Sequence, residues 1–465
     1  MYYLLNKAFA LRGWQKLPFA LHERGTEHTA FLTLDEFRAL SFCNGKIDLD
    51  GPLMLGRYKQ ILAQAIERGL VVPCEYGDEL DKEQEYRQYP SRYIASAHWS
   101  ITGRCNYNCK HCYISAPDAK FGELTREQCL WIIDRLAECG IFSLSLTGGE
   151  CLVRSDFLEL LDAALEKGIG VSTIYSNGRL VDEKLLDALL GRGIRPEFNM
   201  SFDGVGWHDW LRGVPGAQED VLRAFRLCKE KGFATGAEMC LHKGNLKTLR
   251  ESVNVLAGAG CKKLKVNPIS DTELWERYSD DYSLGADELY EAYLEYIPQY
   301  YADGQPLDIM LGGFFSARRG SPEYSIAAER FDGGKSSENR CVCEHARMTM
   351  YIAADGKLLP CMPLASVDYA QRNFPNILDG LVKGLTDSSY MRVIDTRLGE
   401  YLAHNAECAE CEHARVCAGG CRAAGWLRSG DFLSPDRYTC AIFKGGYLER
   451  IHTAAKGAIE RAYRH

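Results

Sequence analysis

Three cysteines crowd into the stretch "RCNYNCKHCY". Three residues separate Cys105 from Cys109, and two separate Cys109 from Cys112. Thiolates are soft ligands for zinc and for iron–sulfur clusters. A structural zinc site or a saturated cluster takes four of them. Three leave one coordination position open, and on a four-iron cluster the fourth iron can then hold a small molecule that accepts an electron. Zinc completed by a remote ligand is the competing reading of these residues. A second set of cysteines follows. "CVCEHARMTMYIAADGKLLPC" gives Cys341, Cys343 and Cys361, and "CAECEHARVCAGGC" gives Cys408, Cys411, Cys417 and Cys421, with Cys440 after a gap. Soft thiolates in fours fit iron–sulfur clusters or a zinc ribbon.

The chain has 465 residues, a net charge of −8 and nineteen cysteines. No basic field marks it for nucleic acid, no signal peptide is visible, and no apolar run reaches the ~18 residues of a membrane span. The expected location is the cytoplasm, where thiols stay reduced and clustered cysteines bind metal or do redox chemistry. The scattered Cys43, Cys74, Cys129, Cys139, Cys151, Cys228, Cys240 and Cys261 read as small apolar side chains.

The elements that position the first cluster are legible. From about 93 to 303 strand and helix alternate. Strand patterns fall near 93–102, 141–147, 169–176, 197–203, 234–241 and 263–269, and helical ones near 125–139, 156–167, 181–191, 217–231, 245–258 and 286–302. Thr125 and Gln128 form a capping-box pattern before the apolar face Cys129, Ile132, Ile133, Leu136 and Ala137. Six β/α units imply a parallel sheet with helices outside, two units short of a closed barrel, so an open (β/α)6 partial barrel is expected. Active sites of such folds sit at the C-terminal ends of the strands, where the three-cysteine loop leaves the first strand. Before this lies a small α+β unit with a charged stretch at 75–92. After it, 304–340 read as irregular, and beyond 341 secondary structure looks sparse. The expected division is 1–92, 93–312 and 313–465. The tyrosine-rich "YEAYLEYIPQYY" and "LWERYSDDYS" read as solvated helix faces, and no catalytic acid or base can be named.

With its Cys-x3-Cys-x2-Cys after the first strand, the chain resembles the radical S-adenosylmethionine (SAM) superfamily. That resemblance implies that Cys105, Cys109 and Cys112 hold three irons of a 4Fe–4S cluster while SAM chelates the fourth. Reductive cleavage of SAM then yields a 5′-deoxyadenosyl radical that abstracts hydrogen from substrate. Other positions resemble the family's SAM contacts. His111 stands before the last cysteine, and "LTGGE" supplies Gly148, Gly149 and Glu150, the last suited to the SAM ammonium. "YSNG" supplies Ser176 and Asn177 for the ribose. "MSFDGVGWHDWLRG" supplies Ser201 and Asp203 near the nucleoside and Arg212 for the carboxylate. Cys151 stands where the family often has proline.

The later cysteines resemble the SPASM extension of such enzymes, which carries auxiliary 4Fe–4S clusters. The implied ligand sets are Cys341, Cys343, Cys361 and Cys421 for one, and Cys408, Cys411, Cys417 and Cys440 for the other, giving three clusters in all. Cys341 is the least settled, since some members leave an iron open. The N-terminal unit resembles winged-helix-type modules that capture a leader peptide by strand addition. Together these features imply a maturase that cross-links a ribosomally made precursor peptide, with electrons from a flavodoxin- or ferredoxin-type reductant. Two alternatives remain: sulfatase-maturase-like oxidation of Cys or Ser to formylglycine, and an iron–sulfur electron carrier without catalysis.

Overall fold

The structure is a computed structural model that describes residues 1–464 apart from 53, 117, 121, 271, 367–373 and 387. The N-terminal unit comprises strands β1 (Tyr2–Leu5), β2 (Phe9–Trp14), β3 (Leu17–Glu23) and β4 (Thr29–Phe31), helices α1 (Leu34–Ser41) and α2 (Gly56–Glu67), and strands β5 (Val71–Cys74) and β6 (Arg87–Gln88). β1 pairs with β5, and the other four form a sheet in the order β4-β3-β2-β6. The charged stretch after β5 is anchored. Gln84 is buried, and its amide donates to the carbonyls of Leu5, Asn6 and Phe9. Trp14 fixes the unit to the rest of the chain, its indole N–H donating to Cys139 O at 3.0 Å, and the His22 ring stacks on Phe142.

All six predicted β/α strands are present: β7 (Ser96–Ser100), β8 (Ser143–Thr147), β9 (Gly170–Ser176), β10 (Glu197–Ser201), β11 (Thr235–Leu241) and β12 (Lys263–Pro268). Between and after them lie α3 (Arg126–Glu138), α4 (Phe157–Glu166), α5 (Glu183–Gly191), α6 (His208–Arg212), α7 (Ala217–Lys231), α8 (Leu249–Ala259), α9 (Glu273–Tyr282) and α10 (Ala286–Ala302). The capping box of α3 forms as the sequence implies, with Thr125 accepting from Gln128 N and the Gln128 side chain accepting from Thr125 N.

Three expectations need correcting. The stretch 304–340 is not wholly irregular, because β13 (Asp308–Leu311) adds in parallel beyond β12, followed by the antiparallel β14 (Phe315–Ala317) and β15 (Tyr324–Ser325). On the other side β16 (Thr349–Ile352) pairs in parallel with β7 and carries the antiparallel β17 (Leu358–Leu359). The sheet therefore has eleven strands in the order β15-β14-β13-β12-β11-β10-β9-β8-β7-β16-β17. The cysteine-rich region is also more helical than its composition suggests, with helices at Leu398–His404, Arg422–Ser429, Arg437–Lys444 and Tyr447–Ala462. Finally, the α10 tyrosines are core residues: Tyr290, Tyr293, Tyr296, Tyr300 and Tyr301 are all buried. Helix Tyr447–Ala462 packs along α10, and Tyr290 stacks on Phe314, so α10 is covered on both faces.

Period-two alternation sorts the strands' side chains. Phe198 and Met200 of β10, and Leu264 and Val266 of β12, are buried in the core. On the opposite face lie Glu197, Asn199 and Ser201 of β10, Glu238 and Cys240 of β11, Lys263 and Lys265 of β12, Tyr175 of β9 and His98 of β7. Closed barrels fill this inner space with branched aliphatic layers. Here it is polar, with Lys265 Nζ 3.9 Å from Glu238 Oε1 and His98 stacked on Tyr175.

Candidate active site

Because β7–β12 run parallel, their C-terminal ends share one rim. The residues after β7, β8, β9 and β10 meet there. Gly149 N donates to Thr102 O and Glu150 N to Arg104 O, both at 2.9 Å, which ties the Gly-Gly-Glu turn to the start of the cysteine loop. A Cβ on Gly149 would stand 2.2 Å from Arg104 O and 2.9 Å from Cys105 Cβ, and one on Gly148 2.6 Å from Thr102 O. The glycines are required by this approach of two backbones. Gly149→Ala is expected to destabilise the chain by about 1–3 kcal/mol through overpacking, seen as a lower denaturant midpoint together with weaker iron uptake at the loop.

Glu150 is fully buried. Its carboxylate accepts from Ser176 Oγ at 3.0 Å, Asn177 N at 2.7 Å and Leu152 N at 3.2 Å, and the Cys151 thiol donates to it at 3.8 Å. Every one of these donors is neutral. Burial raises the Glu150 carboxyl above the usual carboxylate range, against the pull of those hydrogen bonds. A buried carboxylate met only by neutral donors suits a cationic ligand group. Ser176 is spent on Glu150 and on Gly178 N. Asn177 donates from Nδ2 to Asn106 Oδ1 at 2.7 Å, a partner inside the cysteine loop that the sequence reading missed.

Asp203 is also fully buried but is already compensated. Arg212 Nε donates to Oδ2 at 2.6 Å and Cys240 N to Oδ1 at 2.9 Å, while Asn245 Nδ2 donates to the Asp203 carbonyl. Burial alone would raise this carboxyl; the Arg212 charge outweighs it and holds it well below the usual range. Asp203 N donates to His208 Nδ1 at 2.9 Å, so that ring is neutral with its proton on Nε2. Arg212 also reaches Cys109 Sγ at 3.8 Å. Its guanidinium, assigned above to a ligand carboxylate, is thus shared between Asp203 and the cysteine loop. Ser201 lies on the inner face of β10, one residue before Phe202 and two before Asp203.

The cysteine thiols are shaped by burial and by short backbone contacts. Tyr107 N donates to Cys105 Sγ at 3.4 Å and Ala116 N to Cys112 Sγ at 3.3 Å. Burial pushes Cys105 up to about 12 and Cys109 up to about 11, with Arg212 opposing it at Cys109. The free thiols are therefore protonated at neutral pH and release protons when metal binds. Burial pushes His111 down to about 3, leaving a neutral ring whose Nδ1 is buried without a partner.

Spacing tests which metal the thiols fit. Tetrahedral zinc with bonds near 2.3 Å places its sulfurs about 3.8 Å apart. Among the described residues, the one group of three potential ligands mutually within 4.8 Å is His111, Asp203 and Cys240, whose carboxylate Arg212 already neutralises. Neither the 105–112 thiols nor the later cysteines are packed that tightly.

In the later set, Cys408, Cys411, Cys417 and Cys440 line one pocket, together with His413, Phe443 and Lys444. Cys361 immediately precedes the turn Met362–Ser366, Cys421 immediately precedes helix Arg422–Ser429, and these two elements pack together. Cys341 is turned to other partners: Arg347 Nη1 donates to its sulfur at 2.8 Å, and the sulfur lies 3.8 Å from Asp395 O.

Residues 99–256 match the Radical SAM superfamily, and the chain carries a domain of that superfamily, whose members use SAM and a 4Fe–4S cluster. Over 361 residues the chain is 25% identical to the AdoMet-dependent heme synthase of Methanosarcina barkeri, covering 75% of this chain and 96% of that protein. It is 24% identical to the PqqA peptide cyclase of Granulibacter bethesdensis, covering 78% and 91%. The fold is similar to that of SuiB of Streptococcus suis, solved with its precursor peptide SuiA, with a TM-score of 0.62 at 16% identity over 94% of this chain and 99% of that one. No described helix is long and apolar enough to cross a membrane.

Proposed function

We propose that this radical SAM enzyme is a peptide maturase that forms an intramolecular cross-link, thioether or carbon–carbon, in a ribosomally made precursor. The carrying observation is the buried Glu150 carboxylate, held by neutral donors only, its backbone N–H bonded to Arg104 O at the start of the three-cysteine loop. In this reading Cys105, Cys109 and Cys112 hold the cluster, Glu150 binds the SAM ammonium, and Gly148 and Gly149 let the two loops close. Ser176 and Asn177 keep Glu150 and Asn106 in place at the nucleoside end. Asp203 fixes Arg212, which steadies Cys109 and faces the SAM carboxylate, and His111 and Ser201 complete the wall. Bound SAM and its cluster supply a carbon-centred oxidant for hydrogen abstraction. The inner-face groups Glu238, Lys265, Asn199 and His98 orient the substrate below it, and the covering helices keep water out.

Two auxiliary 4Fe–4S clusters complete the reading. Cys343, Cys361 and Cys421, with Cys341 where Arg347 releases it, hold one. Cys408, Cys411, Cys417 and Cys440 would hold the other, and the pair would supply acceptors for the second electron. A flavodoxin- or ferredoxin-type protein supplies the first electron, and the reaction belongs in the cytoplasm. The residue groups 1–92, 93–312 and 313–465 serve as leader capture, radical chemistry and electron acceptance.

Leader capture is supported by an open strand edge. β4 is the last strand of its sheet, and the hydrogen bonds Glu23 N to His28 O and Leu32 N to Phe19 O put its bonded pairs at even-numbered positions. Thr29 and Phe31 therefore point their N–H and C=O groups outward. Phe31 and Leu34 beside them are 45% and 43% exposed. Phe31→Pro removes one outward donor without touching the β3–β4 ladder. It is expected to weaken precursor binding about tenfold, measured by fluorescence anisotropy of a labelled leader. Unchanged affinity would place the leader elsewhere.

The extensive match to heme synthases favours one second reading, oxidation of a porphyrin side chain. Incubating reduced protein and SAM separately with the genomically adjacent precursor peptide and with iron coproporphyrin separates the two. A product two hydrogens lighter from the peptide supports the first reading, and one from the porphyrin alone refutes it.

A further inference from the structure

Arg422 is buried, 3% exposed, at the start of helix Arg422–Ser429. Its guanidinium donates to the carbonyls of Gly419, Gly420, Phe432 and Ser434, and none of these partners is charged. It also lies over the ring of Tyr401, 4.5 Å from the centroid. Tyr401 is itself fully buried, and its hydroxyl sits 3.3 Å from Cys408 Sγ. The contact between these rings and loops is fixed closely: a Cβ on Gly419 would stand 2.2 Å from Tyr401 Cζ. Gly419 N in turn donates to Cys417 Sγ at 3.4 Å.

A buried guanidinium with only neutral partners is costly unless a negative charge lies near. The buried Asp436 carboxylate lines the same pocket but is taken up by Cys421 N, Tyr438 N and Thr439 Oγ1; the thiolates of Cys408, Cys411, Cys417 and Cys440 around their irons would add the further negative charge. We propose that Arg422 and Tyr401 raise the reduction potential of the 408–440 cluster above the value its cysteines alone would give, suiting it to hold an electron. The proposal rests on the cluster assignment given under the proposed function. When Cys408 is a thiolate, the Tyr401 hydroxyl is the only possible donor of the pair. The Arg422 charge on the ring face polarises that O–H toward sulfur. One electron entering the site adds one negative charge and no proton, and both groups stabilise the added charge. Hydrogen bonds to sulfur and local charge are the recognised levers on such potentials.

The partner cluster has a different setting. Arg347, which donates to Cys341 Sγ, also pairs with Asp395, and Arg92 pairs with the same carboxylate. Two guanidiniums share that one carboxylate, so the Cys341 sulfur meets a cation directly where Cys408 meets a neutral hydroxyl.

The test is a redox titration of the holoenzyme followed by electron paramagnetic resonance, in wild type and in Tyr401→Phe. The variant keeps the ring that Gly419 packs against and removes only the hydroxyl. One auxiliary signal is expected to move to more negative potential, with iron content and the other two signals unchanged. Full iron content with all three midpoints unmoved would overturn the proposal. Arg422→Gln, which keeps hydrogen-bonding groups for the carbonyls, should move the same signal in the same direction, and an unmoved midpoint there would also overturn it. Wild type gives a reading without substitution: an exchangeable proton coupled to the reduced cluster, whose absence contradicts the hydroxyl contact. Zinc in place of iron at 408–440 in wild type would instead refute the cluster assignment, a failure distinct from an unmoved midpoint.

Discussion

Cys109→Ser abolishes 5′-deoxyadenosine formation while leaving the fold intact. Serine is nearly isosteric, and the loop's backbone bonds, Lys110 N to Leu211 O and Cys112 N to Cys109 O, do not involve the sulfur. The chain's melting transition should therefore stay close to wild type. What disappears is the ligand in the middle of the three-cysteine set, the one that Arg212 touches. A neutral hydroxyl is a poor ligand for iron where a thiolate is needed, so two thiols remain and the cluster is lost. Nucleoside production, measured by chromatography under anaerobic reduction, should fall by at least about a thousandfold, the scale on which removal of an essential catalytic element is read. Iron should fall by one cluster's content. Activity within tenfold of wild type would mean that the loop is not where SAM is cleaved.

Asp203→Asn acts through the fold first. Asp203 is fully buried and neutralises Arg212, which is itself mostly buried. An asparagine of the same shape leaves that guanidinium without its counter-charge, and breaking a buried pair in this way costs about 3–5 kcal/mol. The Asn amide nitrogen would also face one of two existing donors, Arg212 Nε or Cys240 N. The expected outcome is a large drop in the urea midpoint with an unchanged slope. Bound SAM, bringing a carboxylate beside Arg212, should restore part of the loss. A variant as stable as wild type would show that Arg212 finds its compensation elsewhere.

The barrel was readable because each of its strands repeats one pattern, apolar residues toward the helices and polar ones toward the interior, and because helices such as α3 announce their starts with capping residues. The rim could be assembled from motifs, since parallel strands bring consecutive loops to one end. What the sequence hid has physical reasons. Tyr401 and Arg422 act through packing across twenty residues, and no spacing rule links them. The α10 tyrosines look amphipathic alone, and only the docking of Tyr447–Ala462 buries their second face. β16 carries only four residues after a two-cysteine turn, too short for periodicity to register, yet it extends the sheet beside β7. Asn106 and His208 lie within the motifs that were recognised, but their partners Asn177 and Asp203 become neighbours only once the loops close.

The most direct measurement is the electron paramagnetic resonance spectrum of the anaerobically reduced wild-type protein, recorded with and without SAM. SAM is predicted to change the signal of one cluster only, the one lost in Cys109→Ser, because its amino and carboxylate groups occupy an iron that no cysteine holds. Spectra identical with and without SAM, from protein that contains full iron, would contradict the account.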